Sequence, residues 1–328
     1  MDRPLVSVVM PNYNDALYLR EAVESVLGQS FLAFELVVVD DASSDESVAI
    51  LSDYAARDPR VRLYRNDRNQ GAVSSINRGA SLARGTYLYF LASNDKALPG
   101  FFERTVAVLE AHPGAGLCWT DPSHFFESYG PIYSRRIALT TGPGYLSPED
   151  LAAAYREGRL SAPLHAAPAM FRRSAYEAAG GCLPELQWYS DFFVTLVVAF
   201  RSGMCHVPEA LTATRVLAES YWRSGSAQKR AQEDVFVRIL ELLTSPQYED
   251  IGPLVERSGA LAYFGLPMFR LARDDPRYRS LLGRRYLARC LRFSIKHSVR
   301  RRSSLRFQRL YFRVRQAVRS GARAEASP

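Results

Sequence analysis

Two apolar segments of this chain run directly into acidic and small polar residues. The first, residues 34–39, ends at Asp40 and Asp41, and the second, residues 86–91, ends in Ala92-Ser93-Asn94-Asp95. Continuous apolar runs of this length are typical of strands buried on both faces of a parallel sheet. In open α/β sheets ligands bind outside the carboxyl ends of the strands, so the pattern predicts a ligand crevice lined by carboxylates. A divalent metal holding phosphate oxygens would supply the missing positive charge.

Other apolar segments and helical periodicities alternate with these two strands. Residues 5–10 and 61–64 are predicted strands, and residues 72–83 form a helix before the strand at residue 86. Asn14 or Asp15 can cap the helix after the first strand, and Ser43, Ser44 or Asp45 can cap the helix after the second. The β-α-β-α-β-α-β alternation predicts a doubly wound, mostly parallel α/β sheet flanked by helices, with right-handed crossovers.

Four ordered motifs resemble the nucleotide-sugar domain of the family 2 inverting glycosyltransferases, which have the GT-A fold. The motifs lie in Val6-Ser7-Val8-Val9-Met10-Pro11-Asn12-Tyr13-Asn14, Val38-Val39-Asp40-Asp41-Ala42-Ser43-Ser44-Asp45, Asn69-Gln70-Gly71 through Asn77-Arg78-Gly79, and Ala83-Arg84-Gly85-Thr86-Tyr87. The resemblance covers about residues 4–216. It implies a GT-A-like fold, a nucleoside-diphosphate sugar as donor and a divalent metal, Mg²⁺ or Mn²⁺, as cofactor.

The resemblance implies that the donor nucleotide lies beside the first two turns. In this family the second acidic turn contacts the base, and Asp41, with Asp40 as its neighbour, matches that position. A carboxylate that accepts from the imide N–H of uracil or guanine forms a charge-assisted hydrogen bond. Tyr13 could pack against the base, and Pro11 fixes the turn that places it. The structural alternatives are a helix cap for Asp41 and ordinary packing for Tyr13.

The metal motif departs from the commonest family pattern, Asp-x-Asp-Asp. Where the first Asp is absent, relatives bind the metal through the last acidic residue and contact the ribose or diphosphate through the residue before it. The match implies Asp95 as the metal ligand and Asn94 as a donor-binding residue. Because the amide carries no charge, weaker metal binding or a changed preference between Mg²⁺ and Mn²⁺ is expected. The alternative is a non-catalytic relative in which Asp95 only caps the next turn.

Inverting transfer needs a general base that takes the proton of the acceptor hydroxyl. Relatives supply it from an acidic pair after a Gly-Gly segment, and Asp191 matches that base while Ser190 replaces the other acid. A carboxylate at a helix N-terminus has a lowered pKa unless burial opposes the helix field, and it can also be a plain cap. Trp188 and Tyr189 could form a platform for a sugar ring, or pack in the core.

A long insertion and one arginine complete the predicted site. Residues 122–168 are rich in Tyr, Pro, Gly and His, and a loop region of this kind is expected to contact the acceptor. His165 is a candidate for acceptor or phosphate contacts, or an ordinary partly buried histidine. Arg215 is a candidate partner of the diphosphate as charge develops on the leaving group, or a surface ion-pair residue.

The positive charge of the chain is concentrated near its C-terminus. The net charge is +8, yet residues 277–323 contain sixteen Lys and Arg and no Asp or Glu. Phe307, Leu310, Tyr311, Val314 and Val318 share one helix face, which together with the arginines predicts a basic amphipathic helix on an anionic membrane surface. Docking of this helix on the catalytic domain is the alternative, and nucleic acid is disfavoured because no nucleic-acid-binding motif accompanies the charge.

These features together predict two regions and one function. Residues 1–222 would form the glycosyltransferase domain and residues 223–328 a helical, strongly basic region. The expected function is metal-dependent inverting transfer from a nucleoside-diphosphate sugar, most simply a UDP-sugar, to a glycan or lipid-linked acceptor in cell-surface polysaccharide synthesis. No secretory signal or spanning segment is visible, so the expected location is the cytoplasm or the cytoplasmic membrane face. The alternative is a non-catalytic nucleotide-sugar-binding or scaffold protein.

Overall fold

The computed structural model of the protein describes residues 3–126, 132–134, 136–137, 139–160, 163–217 and 221–278, together with Leu281, Tyr286 and Cys290. The N-terminal part alternates strands and helices as the sequence predicts. Its elements are β1 Val6–Asn12, α1 Ala16–Leu27, β2 Phe34–Asp40, α2 Ser47–Arg57, β3 Val61–Arg65, α3 Ala72–Leu82 and β4 Tyr87–Phe90.

The next part of the chain adds shorter strands and further helices. Its elements are β5 Lys96–Ala97, α4 Phe101–Ala111, β6 Leu117–Thr120, β7 Ser123–Phe125, β8 Tyr133–Ser134, β9 Gly144–Leu146, α5 Pro148–Glu157, β10 Ala169–Arg172, α6 Arg173–Ala178, a 3-10 helix Pro184–Tyr189, α7 Ser190–Ser202, β11 Met204–Val207 and β12 Thr212–Arg215. The remaining described residues are helical: α8 Tyr221–Ala227, α9 Lys229–Leu243, α10 Gly252–Ser258, a 3-10 helix Ala260–Phe264, α11 Gly265–Asp274 and a 3-10 helix Pro276–Tyr278.

Within the described residues, eight strands form the central sheet in the order β3-β2-β1-β4-β10-β6-β11-β9. The pairs β3-β2, β2-β1, β1-β4 and β6-β11 are parallel, whereas β10 runs antiparallel to both β4 and β6. The strand order reverses between β1 and β4, and this switch point is where a doubly wound sheet leaves a crevice for ligands. The predicted doubly wound, mostly parallel α/β fold is therefore confirmed.

A small second sheet lies beside this crevice. Its order is β5-β12-β7-β8, with β12 antiparallel to β5 and parallel to β7. The strand β5 begins directly after Asp95, and β12 ends at Arg215. The second sheet thus connects the predicted metal motif to the end of the predicted transferase domain.

Alternating side chains of the central strands fill two hydrophobic cores, one on each face of the sheet. Val9, Leu88 and Phe90 belong to one core, while Val8 and Tyr89 belong to the other. Strand geometry explains this division, because successive side chains point to opposite faces. The two apolar faces fix the register of β1 and β4, and so also fix where the turns after them begin.

The described C-terminal helices share the first of these cores. Ile239 on α9, Phe264, Tyr286 and Cys290 are buried in the same cluster as Val9 and Leu88. The division at residue 222 remains a prediction. The predicted amphipathic helix at residues 307–318 lies outside the described residues. Among the described helices, none has the length and apolar character needed to cross a bilayer.

One carboxylate holds the starts of two helices. Asp15 occupies the position before α1 but makes no side-chain cap, and Asp45 instead accepts from the Ala16 N–H at 3.0 Å. The other oxygen of Asp45 accepts from the Ser47 N–H at the start of α2, also at 3.0 Å. These contacts lower the pKa of Asp45 although desolvation opposes them. Asp45, which follows β2, therefore fixes the start of α1, the helix that follows β1.

Candidate active site

The turns predicted to carry the site adopt backbone conformations that few residues tolerate. Among the described residues, the non-glycine residues with positive φ are Asn14 (53°), Ala42 (62°) and Gln187 (48°). They lie in the turn after β1, in the turn after β2 and just before α7. Positive φ is unfavourable for residues with a Cβ, and such strain concentrates at functional sites. All three positions are next to predicted site residues.

Asp40 and Asp41 are both buried and hold the turns around them. Asp40 accepts from Nδ2 of Asn12 at 2.9 Å and from the N–H of Ser43 at 3.1 Å. Asp41 accepts from Nδ2 of Asn66 at 2.6 Å and from the backbone N–H groups of Gln70 at 2.9 Å and Gly71 at 2.8 Å. Gly71 has a φ of 87°, which suits glycine.

The Asp41 carboxylate therefore orders the loop before α3 and does not cap α2. A carboxylate has room for about four accepted bonds, so contact with a nucleotide base remains compatible with these three. This role stays a prediction.

Tyr13 and Pro11 lie where the sequence places them, at the carboxyl end of β1. The Tyr13 side chain is 49% exposed, so its ring is available to a ligand. Asn14 holds the turn, because its N–H donates to Oγ of Ser43 and its side-chain oxygen accepts from the N–H of Ser44. The turns after β1 and β2 are thus held together at the residue next to Tyr13, whose ring is exposed.

The turn after β4 carries the carboxyl group of Asp95 and is linked to Asp15, which lies in the turn after β1. Ser93 donates from Oγ to Asp15 at 2.6 Å and so links the turns on the two sides of the switch point. Asp95 is buried and accepts from the N–H of Arg215 at 2.7 Å. Burial raises the pKa of Asp95 to about 7, Arg215 opposes this shift, and the charge of Asp15 adds to it. Burial also raises the pKa of Asp15.

These carboxyl groups suit a divalent cation bound together with a diphosphate. No group of three or more His, Cys, Asp and Glu side chains capable of holding a metal occurs among the described residues. A metal held by Asp95 and phosphate oxygens needs fewer protein ligands, since Mg²⁺ is usually bound by one or two carboxylates plus substrate phosphates. Burial is the main cause of the raised pKa values of Asp15 and Asp95, and a bound cation would favour the ionised form of each carboxyl group.

Arg215 is buried, although the sequence suggested a surface ion pair or a phosphate ligand. Its Nε donates to the carbonyl of Asn94 at 2.9 Å, and its Nη2 donates to Glu21 on α1. The guanidinium also lies 4.4 Å from the ring centre of Tyr18 and 4.3 Å from that of Phe125.

Asp191 lies in the first turn of α7, at the same sheet edge as Asp95. Its Oδ2 accepts from the N–H of Ala166 at 3.4 Å, and its Oδ1 accepts from the N–H of Phe192 at 2.7 Å. Ala166 precedes β10, and β10 runs antiparallel to its neighbour β4. The start of β10 therefore lies at the carboxyl end of β4, where the turn carrying Asp95 begins.

The pKa of Asp191 is raised, with burial as the largest cause and backbone hydrogen bonds opposing it. Burial thus outweighs the lowering effect of the helix N-terminus. A carboxylate with a raised pKa and little solvent around it is a stronger base than a free aspartate.

Trp188 and Tyr189 pack in the interior. Tyr189 is 4% exposed and contacts the rings of Phe236 and Phe264 at 5.7 and 5.1 Å. The Trp188 ring is also buried and packs closely on Gly225 of α8, where a Cβ would lie 2.1 Å from the indole. The core-packing alternative accounts for both residues, and an acceptor contact by either remains a prediction.

His165 lies next to the segment that contacts Asp191. Its carbonyl accepts from the indole N–H of Trp119 at 3.2 Å, and its neighbour Ala166 donates to Asp191. Burial lowers the pKa of His165 to about 4, so the ring is neutral at pH 7. The end of the predicted acceptor-side insertion is thus beside the predicted base, while the role of His165 itself stays a prediction.

Comparison with known proteins gives the family. The sequence model of the family described as Glycosyl transferase family 2 matches residues 7–180, which is more than half of the chain. This chain belongs to glycosyl transferase family 2.

Curated relatives match this family 2 chain over parts of their length. An uncharacterized protein of Mycobacterium tuberculosis is 30% identical over 222 residues, which cover 65% of this chain and 67% of that protein. An uncharacterized protein of Sinorhizobium fredii is 40% identical over 38% of this chain, but only 14% of its own length is covered. An uncharacterized glycosyltransferase of Haemophilus influenzae is 40% identical over 29% of this chain and 38% of its own length. The chain therefore spans well under two thirds of the last two relatives.

Solved structures share the fold of this family 2 chain. A fragment of S. aureus TarS in complex with UDP-GlcNAc superposes with a TM-score of 0.59 at 16% identity, covering 84% of this chain and 90% of that one. The mannosyltransferase PcManGT from Pyrobaculum calidifontis, in complex with GDP-Man and Mn²⁺, gives 0.54 at 18% identity, covering 89% and 87%. At these identities the likeness shows the fold alone, and it confirms the expected GT-A fold.

Proposed function

We propose that this chain is a metal-dependent, inverting glycosyltransferase of the hexosyltransferase type that uses a nucleoside-diphosphate sugar, with UDP as the nucleotide. Its acceptor is a glycan or a lipid-linked glycan in cell-surface polysaccharide synthesis. The observation that carries the proposal is the placement of Asp95 and Asp191 at one sheet edge, beside the switch point between β1 and β4. A nucleotide-sugar transferase needs both a phosphate-binding end and a base at such an edge.

Each residue of the proposed site has one role. Pro11, Tyr13, Asp40 and Asp41 form the nucleotide side, where the exposed ring of Tyr13 covers the base and the turn at Asp41 binds its edge. Asn94 contacts the ribose or diphosphate, and Asp95 holds Mg²⁺ or Mn²⁺. A bound cation of this kind neutralises charge on the departing diphosphate.

Asp191 accepts the proton of the acceptor hydroxyl as that oxygen attacks the anomeric carbon. Attack occurs on the face opposite the leaving group, so the configuration inverts. The N–H of Ala166 fixes one oxygen of Asp191 and keeps the carboxylate oriented towards the acceptor side. The adjoining segment with His165, whose ring is neutral at pH 7, lines the acceptor side.

The names of similar proteins support the donor and the pathway in part. The TarS structure was obtained with UDP-GlcNAc, and a Bacillus subtilis relative that is 40% identical over 29% of this chain is named for teichuronic acid biosynthesis. The PcManGT complex contains GDP-Man, so guanine is the rival base. We propose a cytoplasmic protein that binds the membrane face peripherally through its basic C-terminal region.

Turnover of the full chain with UDP-sugars tests the proposal. UDP should form from at least one UDP-hexose in the presence of Mn²⁺ or Mg²⁺ and a glycan acceptor, and EDTA should stop its formation. The product should have the opposite anomeric configuration to the donor, which NMR measures directly. Tight nucleotide binding without any turnover would favour the non-catalytic alternative, and absence of nucleotide binding would contradict the proposal.

A further inference from the structure

Arg215 is buried between two aromatic rings at the end of β12. Its side chain is 2% exposed. The guanidinium is 4.4 Å from the ring centre of Tyr18 on α1 and 4.3 Å from that of Phe125 on β7. The pairing of β12 with β7 sets Arg215 directly opposite Phe125. Cation–π contacts of this kind strengthen when water is excluded, so this position holds the cation firmly.

The polar contacts of Arg215 to described residues converge on the turn that carries the predicted metal ligand. Its Nε donates to the carbonyl of Asn94 at 2.9 Å. Its backbone N–H donates to the Asp95 carboxylate at 2.7 Å. Arg215 therefore fixes the main chain at Asn94 and one of the two carboxylate oxygens of Asp95.

Glu21 holds the guanidinium from the opposite side. This α1 residue accepts from Nη2 of Arg215 and also forms an ion pair with Lys96, the residue after Asp95. Lys96 lies 4.5 Å from the ring centre of Phe125. Glu21 thus joins α1 to both sides of the Asn94–Asp95 turn through two cations. A guanidinium that moved to a diphosphate would have to leave Glu21 and Asn94.

We propose that Arg215 is a positioning residue that orients the Asn94–Asp95 turn for metal binding, with Glu21 as its anchor, and that it does not itself bind the diphosphate. The inference rests on the proposed function, because it takes Asp95 as the metal ligand. Residues that orient a metal ligand typically change metal affinity 10–100-fold when they are replaced.

The variant Glu21→Gln separates this role from a diphosphate contact because the two roles predict opposite changes. If Arg215 positions the turn, loss of its anchor weakens the binding of Mn²⁺ to the UDP-bound chain by about 10-fold and leaves UDP affinity in EDTA unchanged. If Arg215 binds the diphosphate, loss of the competing carboxylate frees the guanidinium and strengthens UDP binding in EDTA. Electron paramagnetic resonance of free Mn²⁺ and calorimetric titration of UDP measure the two affinities on the full chain.

Matched variants complete the test. Glu209→Gln makes the same change in an exposed ion pair with Arg104, and both affinities should remain at the wild-type value. Arg215→Lys keeps the positive charge but loses the planar guanidinium group, so it should weaken Mn²⁺ binding as Glu21→Gln does. If Glu21→Gln does not fold, Arg215→Lys replaces it in the test. Unchanged Mn²⁺ affinity in a folded variant, or stronger UDP binding in EDTA, would overturn the role given to Arg215 and would leave the proposed function intact. A wild type that binds UDP equally well in Mn²⁺ and in EDTA would overturn the proposed metal site and the inference with it.

Discussion

At the scale of single residues, Asp191 acts as a base only while it is ionised. Burial raises its pKa, whereas its backbone hydrogen bonds oppose that shift. A raised pKa means that the side chain loses its proton at a higher pH than a free aspartate. The rate should therefore rise with pH through this raised pKa and level off above it.

Asp191→Asn should lower kcat at least 100-fold, because an amide cannot accept the acceptor proton. With Mn²⁺ and donor saturating, the acid limb of the kcat profile should disappear with it, while the affinity for UDP stays within about twofold. Glu185→Gln, an exposed change on the 3-10 helix just before α7, is the control and should behave as wild type. Turnover near the wild-type rate in Asp191→Asn would place the base elsewhere, with buried Asp121 as the next candidate.

Sequence patterns locate residues at strand ends better than they locate the side chains that those residues contact. Asp40, Asp41 and Asp95 could be placed because each follows a recognisable apolar strand. The partners of Arg215 could not, since Glu21 and Tyr18 are distant in sequence and meet Arg215 only because α1 packs on β5, the strand that pairs with β12. The sequence pattern predicts only a helix cap for Asp15, although its carboxylate accepts a hydrogen bond from Ser93, two residues before Asp95.

At the scale of elements, Asp45 couples the first two helices. Replacement by Ala removes an accepted N–H bond at the start of each helix, and a lost N-terminal cap typically costs about 1 kcal/mol. Asp45→Ala should therefore lower the free energy of unfolding by about 1–2 kcal/mol at pH 7, measured in urea. Asp53→Ala is the control, because it breaks only an exposed i,i+4 pair with Arg57 and should change stability little.

The pH dependence gives a second check on Asp45. Its folded pKa is lowered, so its contribution is complete above its unfolded pKa and is lost as the pH falls through the folded value. The difference between wild type and Asp45→Ala should therefore shrink in acid. A difference that is the same at pH 7 and in acid would contradict the capping role.

The regular alternation of the first four strands could be predicted, but the later sheet could not. Hydrophobic runs and turns define β1 to β4 locally. The position of β10 between β4 and β6 depends on long-range antiparallel pairing, and the strands β7 to β9 of the 122–168 insertion have no clear period. For the same reason the contact of Ala166 with Asp191 was not predictable.

At the scale of the whole molecule, the basic C-terminal region begins inside the hydrophobic core. Tyr278, Leu281, Tyr286 and Cys290 are buried in the cluster that includes Leu88 and Val197. A truncation near Arg273 would remove these side chains from the core. A loss of liposome binding in that variant could then result from a loss of folding. A truncation after Cys290 keeps them and still removes eleven Lys and Arg.

The chain that ends at Cys290 should keep UDP affinity but lose binding to liposomes with anionic lipids. Each Lys or Arg held near such a surface contributes about 1 kcal/mol, so the loss should be large. The full chain should bind anionic liposomes less tightly as salt rises and neutral ones weakly. Cosedimentation measures both. Equal liposome binding by the two chains would contradict membrane attachment through residues 291–328.

In the proposed site, the crevice between β1 and β4 binds a nucleoside diphosphate together with a metal at Asp95. Calorimetric titration of UDP into the full chain, with Mn²⁺ and then with EDTA, measures whether the two bind together. The wild type should bind UDP at least 10-fold more tightly with Mn²⁺ than with EDTA, and Asp95→Ala should bind equally in both, because outright loss of a metal ligand should cost at least what loss of an orienting partner costs. Equal UDP affinity in Mn²⁺ and EDTA for the wild type would contradict the account.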